Sequence, residues 1–289
     1  MTWALWTGAC SAAVSAFDDR GKEVVLAAPA QRVVALAPSL TELVYAAGAG
    51  ERLVGVASYS DYPAGAARLA RVGDASRIDF ERVLSLAPEL ILGWKSGNRV
   101  ADIERLESLG FKVIVFEPGR LSDIERALRV LGALTASSVT ANAAADAFAQ
   151  QVAALRSHYQ GERRLRVFYE IWHEPLMTVN GAHMISEVVE LCGGTNLFSS
   201  AASLTPAVSL EALLGRQPEV IVGGRSGESA DHFAALWSGY RQFAGLRDIA
   251  TIYINPDVMQ RQTPRIVEGA RQLCEGLEKV RREALGVRR

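Results

Sequence analysis

From Arg32 onward, short apolar runs alternate with stretches of helical periodicity. Residues 33–36, 53–56, 90–93 and 113–116 are continuous runs rich in Val, Leu and Ile, the pattern of strands buried on both faces. Between them, 41–47, 80–86 and 100–109 place apolar residues at helical spacing and stop at Gly48, before Pro88 and at Gly110. A further helix is predicted over 122–134, with Ser122 as its cap and Glu125 three residues on. Strand and helix alternating at this spacing predict parallel α/β units.

The segment 136–160 contains neither Gly nor Pro, and Val139, Phe148, Val152, Leu155 and Tyr159 recur mostly at three- and four-residue steps. This is one helix about 30 Å long, too long for an ordinary crossover. Beyond it the strand pattern resumes at 167–169, and the second half repeats the first. Asp79-Phe80-Glu81-Arg82-Val83-Leu84 falls on Ser209-Leu210-Glu211-Ala212-Leu213-Leu214 at a shift of 130 positions, and Pro88-Glu89-Leu90-Ile91-Leu92-Gly93 falls on Pro218-Glu219-Val220-Ile221-Val222-Gly223 at the same shift. Thr41-Glu42-Leu43-Val44 resembles Ser186-Glu187-Val188-Val189. The expected fold is therefore α/β: two similar Rossmann-like lobes joined by one long helix. Ligands of such sheets bind beyond the carboxyl ends of the strands, which predicts a ligand cleft between the lobes. The expected organisation is an export signal or N-terminal tail at 1–31, a first lobe at 32–135, the linker helix at 136–161 and a second lobe at 162–289.

Composition narrows the function classes. With 49% apolar and 22% charged residues the chain is an ordinary globular one. Lys plus Arg number 31 against 32 Asp plus Glu, so no global charge argues for nucleic acid or an anionic membrane. Residues 1–16 are small and apolar, and Val14-Ser15-Ala16 reads as a small-x-small cleavage site before Phe17-Asp18-Asp19, although the basic residues of an export signal are missing. Cys10 follows Thr7-Gly8-Ala9, a poor lipidation box.

Catalytic motifs are absent. There is no G-x-G-x-x-G, no G-x-x-x-x-G-K-[ST], no G-x-S-x-G and no H-E-x-x-H. Gly223-Gly224 reads as a tight turn, Ser226 as a loop residue, and His173 as a surface histidine rather than a metal ligand. No catalytic residue and no metal site are expected. The rival reading is an enzyme using Tyr59, Asp61 or His173 as acid or base in the cleft. The informative residues stand at strand exits: Tyr59 and Tyr62 after 53–56, Trp94 after 90–93, Trp172 after 167–171, and Asp257 and Arg261 after 252–254. Aromatic faces with polar rims suit a large, flat, apolar ligand.

Five runs carry a resemblance: Pro38-Ser39-Leu40-Thr41-Glu42-Leu43, Ser58-Tyr59-Ser60-Asp61-Tyr62-Pro63, Gly93-Trp94-Lys95-Ser96-Gly97-Asn98, Cys192-Gly193-Gly194-Thr195-Asn196-Leu197-Phe198 and Pro264-Arg265-Ile266. From about Arg32 to Leu277 the chain resembles the periplasmic cobalamin-binding proteins of ABC importers. The resemblance implies a monomeric, exported protein of the periplasm that captures a corrinoid and delivers it to a membrane permease, without catalysis and without a cofactor. Haem or siderophore binding on the same fold is the alternative. The family's corrinoid contacts fall on Tyr59, Trp94, Asp257 and Arg261. Ala75 and Thr205 stand where the family has aromatics and Met177 where it has a Phe, a loss that Trp172 is placed to offset. The resemblance further implies a disulfide between Cys192 and Cys274. Glu81 and Glu211, near the first turns of repeated helices, fall on the glutamates that meet permease arginines. An anchor through Cys10 stays open.

Overall fold

The computed structural model describes residues 12–74, 76–284 and 286, and the chain divides into two units. One runs to Glu117 and takes in Arg126–Ala145, and the other comprises Pro118–Glu125 and Asp146 onward. Cys10, Ala75 and most of the expected export signal lie outside the described residues.

In the first unit, β1 (Val14–Phe17) and β2 (Glu23–Leu26) form an antiparallel hairpin with Val14 opposite Leu26. Residues 12–31 are thus not a tail, and the three residues read as a cleavage site are three of the four in β1. Two aspartates tie the hairpin down. The Asp18 carboxylate accepts the Lys22 and Arg20 N–H groups, each at 2.9 Å, and Asp19 Oδ1 lies 2.7 Å from Arg126 Nη2. The Asp19 N–H also donates to the Val115 carbonyl at 2.9 Å.

The main chain then runs through β3 (Val33–Ala35), α1 (Pro38–Ala46), β4 (Leu53–Val56), β5 (Ala70–Arg71), α2 (Phe80–Ser85), β6 (Leu90–Trp94), α3 (Val100–Ser108) and β7 (Val113–Phe116). The five sheet strands are parallel in the order β5-β4-β3-β6-β7. Val34, Ile91, Val113 and Val115 pack with Ile103 and Leu106 of α3 and Val83 of α2. Each such buried side chain contributes about 1.5–3 kcal/mol.

Helix α4 (Leu121–Leu134) starts one residue early, and Ser122 is not its cap. Asp123 Oδ2 accepts the N–H groups of Gly119 and Arg120, and Glu187 Oε2 accepts that of Leu121 at 2.9 Å. Carboxylates at a helix start accept its free N–H groups and are favoured by the helix dipole. The long helix predicted over 136–161 is α5 (Ser138–Tyr159), whose first eight residues, 138–145, belong to the first unit and the remainder to the second.

The second unit continues through β8 (Leu165–Glu170), α6 (Met184–Leu191), β9 (Gly194–Asn196), α7 (Leu210–Leu214), β10 (Val220–Gly223), α8 (Ala230–Ser238), β11 (Ala250–Tyr253), α9 (Pro256–Met259) and α10 (Ile266–Ala284). Its four parallel strands lie in the order β11-β10-β8-β9. The core here is more aromatic: Phe168, Phe198, Phe233 and Trp237 pack with Leu213 and Ile221, and Phe168 meets Phe198 and Trp237 edge-on at 5.8 and 6.1 Å.

Candidate functional site

The carboxyl ends of β8 and β10 open onto a pocket of about 450 Å³ within the second unit, lined by Trp172, Gly224, Arg225, Asp257, Gln260 and Arg261 among others. Three of the residues singled out at strand exits therefore share one pocket. Asn255 Oδ1 caps α9 by accepting the Asp257 N–H at 2.9 Å, and Arg261 follows two residues beyond the end of that helix. Their side chains pair, Arg261 Nη2 to Asp257 Oδ1, at 2.9 Å. Such a pair offers a ligand amide both a carboxylate acceptor and guanidinium donors.

Trp172 sits on a tight loop. The Met177 N–H donates to the Trp172 carbonyl at 2.8 Å and the Ile171 N–H to the Met177 carbonyl at 3.0 Å. Trp172 Nε1 donates to the Glu174 carbonyl at 2.7 Å. The indole N–H is thereby satisfied inside its own loop, and Trp172 stays 52% exposed, with the Arg225 guanidinium 5.9 Å from the ring centroid on one side.

His173 is not a surface histidine. Its side chain is 10% exposed, Nδ1 lies 3.2 Å from Glu170 Oε1, and its ring meets Trp237 and Tyr240 edge-on. Glu170, at the end of β8, also accepts Trp237 Nε1 at 2.7 Å. Burial pushes the Glu170 carboxyl up, against the pull of His173 and the Trp237 N–H. The sequence signal for this cluster was the Glu at the last step of an apolar strand, three residues before a His.

In the first unit, Tyr59 stands on the loop after β4 with φ 64° and 78% of its surface exposed. A left-handed tyrosine costs about 1–2 kcal/mol. The neighbours hold it there: Arg71 Nη1 donates to the Ala57 and Ser60 carbonyls at 3.2 and 3.0 Å, and the Thr41 hydroxyl donates to buried Ser60 Oγ at 3.1 Å. Trp94 ends β6, its N–H donating to Asn98 Oδ1 at 2.7 Å. A Cβ on Gly97 would come 1.8 Å from the Trp94 ring, so only glycine allows that turn to lie on the indole. Trp94 Nε1 has no hydrogen-bond partner among the described residues.

Glu81 and Glu211 lie exposed in the first turns of α2 and α7. The repeat holds in detail: Asp79 and Ser209 cap the two helices, accepting the N–H groups of Arg82 and Ala212 at 2.9 and 3.2 Å. The Glu211 carboxyl is held below its usual range by its own N–H and by the Ser209 hydroxyl. Cys192, at the end of α6, and Cys274, in α10, are joined as a disulfide with Cα atoms 4.6 Å apart. Thr205 stays partly buried, and Met177, at a bridge facing both Trp172 and Ala207, holds the Trp172 loop. Among the described residues no group of three or more His, Cys, Asp or Glu side chains converges as metal ligands would.

Residues 33–236 match the periplasmic binding protein family. A vitamin B12-binding protein of Yersinia pestis is 37% identical over 251 residues, spanning 87% of this chain and 88% of the relative. The crystal structure of the periplasmic vitamin B12-binding protein of Vibrio cholerae superimposes with a TM-score of 0.80 at 34% identity, over 88% of this chain and 98% of that one. The apo periplasmic haem-binding protein of Roseiflexus, 20% identical with a TM-score of 0.74 over 86% of this chain and 98% of its own, shares the fold. With its two parallel α/β units and a family match running from β3 into α8, the chain belongs to the periplasmic binding protein family.

Proposed function

We propose that this protein captures a corrinoid, cobalamin, in the periplasm and delivers it to the permease of an ABC transporter. The observation that carries the reading is the second-unit pocket, where an exposed indole face stands beside a paired carboxylate and guanidinium. A corrin ring has an apolar face and a rim of amide arms, and these residues supply a complement to each. Tyr59 and Trp94 of the first unit and Trp172, Asp257 and Arg261 of the second are the contacting residues. The likeness to vitamin B12-binding relatives supports the same ligand. No bond is made or broken, so the activity is binding without catalysis. Glu81 and Glu211, exposed at equivalent helix starts, meet arginines of the permease by salt-sensitive pairing.

Calorimetric titration of the purified protein with cyanocobalamin and, separately, with haemin tests the ligand. Saturable one-to-one binding of cyanocobalamin is expected, and binding of haemin alone would overturn the reading in favour of the haem alternative. For the docking role, Glu81→Arg with Glu211→Arg is expected to abolish uptake in a reconstituted transporter while cyanocobalamin affinity stays intact. Normal uptake would leave both glutamates as helix-terminal residues.

A further inference from the structure

The repeat extends past the strands. Gly93-Trp94-Lys95-Ser96-Gly97 at the end of β6 falls on Gly223-Gly224-Arg225-Ser226-Gly227 at the end of β10, again at a shift of 130. Each loop carries one cation at the same step, and the two cations are used differently. In the first unit Lys95 Nζ donates to the Asp19 carbonyl of the hairpin at 3.3 Å. In the second unit the Arg225 guanidinium lies over the Trp172 ring, 5.9 Å from its centroid, and lines the pocket. The backbone there is pinned, because the Tyr253 hydroxyl donates to the Arg225 carbonyl at 3.4 Å. Gly224 is needed for that close approach, since a Cβ on it would come 2.6 Å from the Tyr253 ring.

The charges of the pocket are unequally matched. Arg261 has Asp257 at 2.9 Å. Arg225 is 56% exposed and has Glu228 Oε1 at 3.5 Å, beyond the roughly 2.7–2.9 Å of a charge-assisted hydrogen bond, and that oxygen is shared with His232 Nε2 at 3.7 Å. A guanidinium set on an indole keeps its edge N–H donors for a planar or tetrahedral oxyanion.

We infer that Arg225 is the subsite for an anionic oxygen group of the ligand. The inference rests on the corrinoid reading and narrows it. In cobalamin the peripheral anion is the phosphodiester of the nucleotide loop, which cobinamide lacks. Arg225 therefore selects complete corrinoids over those without the nucleotide. Haem propionates carry the same chemistry from another source, and the test separates the two.

Calorimetry of the wild type, Arg225→Gln and Glu228→Gln with cyanocobalamin, dicyanocobinamide and haemin decides it. The wild type is expected to bind cyanocobalamin about tenfold more tightly than dicyanocobinamide, the worth of one hydrogen bond to a charged group. Arg225→Gln brings that ratio toward one and flattens the salt dependence of cyanocobalamin affinity. Glu228→Gln, which removes the competing carboxylate, widens the ratio. An equal ratio in wild type and Arg225→Gln overturns the inference while the corrinoid reading stands. Absence of any corrinoid binding overturns both, and haemin binding weakened in Arg225→Gln would then assign the anion to a propionate.

Discussion

β6 and β10 start at the same step of the repeat, yet their exits supply an aromatic ring by different routes. At the end of β6 the ring is Trp94 itself, resting on Gly97. After β10 the equivalent position is Gly224, where even a Cβ would meet the Tyr253 ring at 2.6 Å. The second unit takes its ring from the neighbouring strand exit instead, as Trp172. Behind the loops the two units agree closely. The turn after α2 has Ala87 at φ 42° and the turn after α7 has Gln217 at φ 51°. Strand entry repeats as well: the Glu89 N–H donates to the Arg32 carbonyl at 2.8 Å and the Glu219 N–H to the Arg166 carbonyl at 2.9 Å. Framework turns and caps hold the same places in both units while the residues at the strand exits differ.

The largest effect expected from breaking this comparison lies where only one unit is stapled. Among the described residues the disulfide belongs to the second unit alone, closing a separation of 82 residues between α6 and α10. Cys192→Ser with Cys274→Ser is expected to cost up to about 4 kcal/mol in the chain-entropy account, read as a lower urea midpoint with the second unit unfolding first. An unchanged midpoint would mean that the packing of α6 on α10 suffices.

The next effect concerns how α1 and α6 begin. α1 opens at Ala37 with no side-chain cap and Pro38 in its first turn. α6 opens at His183, whose Nδ1 accepts the Ile185 N–H at 3.2 Å. Burial lowers the His183 pKa from 6.5 to about 4. Above about pH 6.5 the imidazole is neutral both folded and unfolded. Below that the unfolded chain takes up a proton that the fold refuses. Stability therefore falls as pH drops from about 6.5 to about 4, by up to about 3 kcal/mol, and this contribution then levels off. His183→Asn keeps a cap without a titrating group, and urea melts at pH 7 and 4.5 should lie closer together in the variant than in the wild type.

A smaller, matched pair sharpens the loop comparison. Gly97 and Gly227 are equivalent positions that need glycine for opposite reasons. A Cβ at 97 collides with Trp94, whereas Gly227 has φ 82° and open space around it. Gly97→Ala is expected to cost about 1–3 kcal/mol and to shift tryptophan emission as the indole moves. Gly227→Ala costs about 1 kcal/mol of backbone strain with a smaller shift in emission. Equal emission changes would contradict the assignment.

Most of the framework was legible because buried strands and the constant shift of 130 leave local marks in the chain. The hairpin was not. Small residues around Val14-Ser15-Ala16 fit a processing site, and the Asp19 contacts that hold the hairpin reach Val115, Glu117 and Arg126, about a hundred positions away. His173 was misread because its partners, Glu170 and Trp237, come from a strand end and a separate helix. Arg225 was passed over because Gly223-Gly224 reads locally as a turn. Carrying the repeat four residues further, through Gly97, sets Arg225 opposite Lys95.

The proposed corrinoid role rests most heavily on two indoles, Trp94 and Trp172, that sit at different steps of the repeat. Calorimetry of cyanocobalamin with Trp94→Ala and with Trp172→Ala tests it most directly. Each variant is expected to lose about 2 kcal/mol of binding free energy, the loss of a buried aromatic anchor, with the fold intact by circular dichroism. Wild-type affinity in both variants would contradict the account.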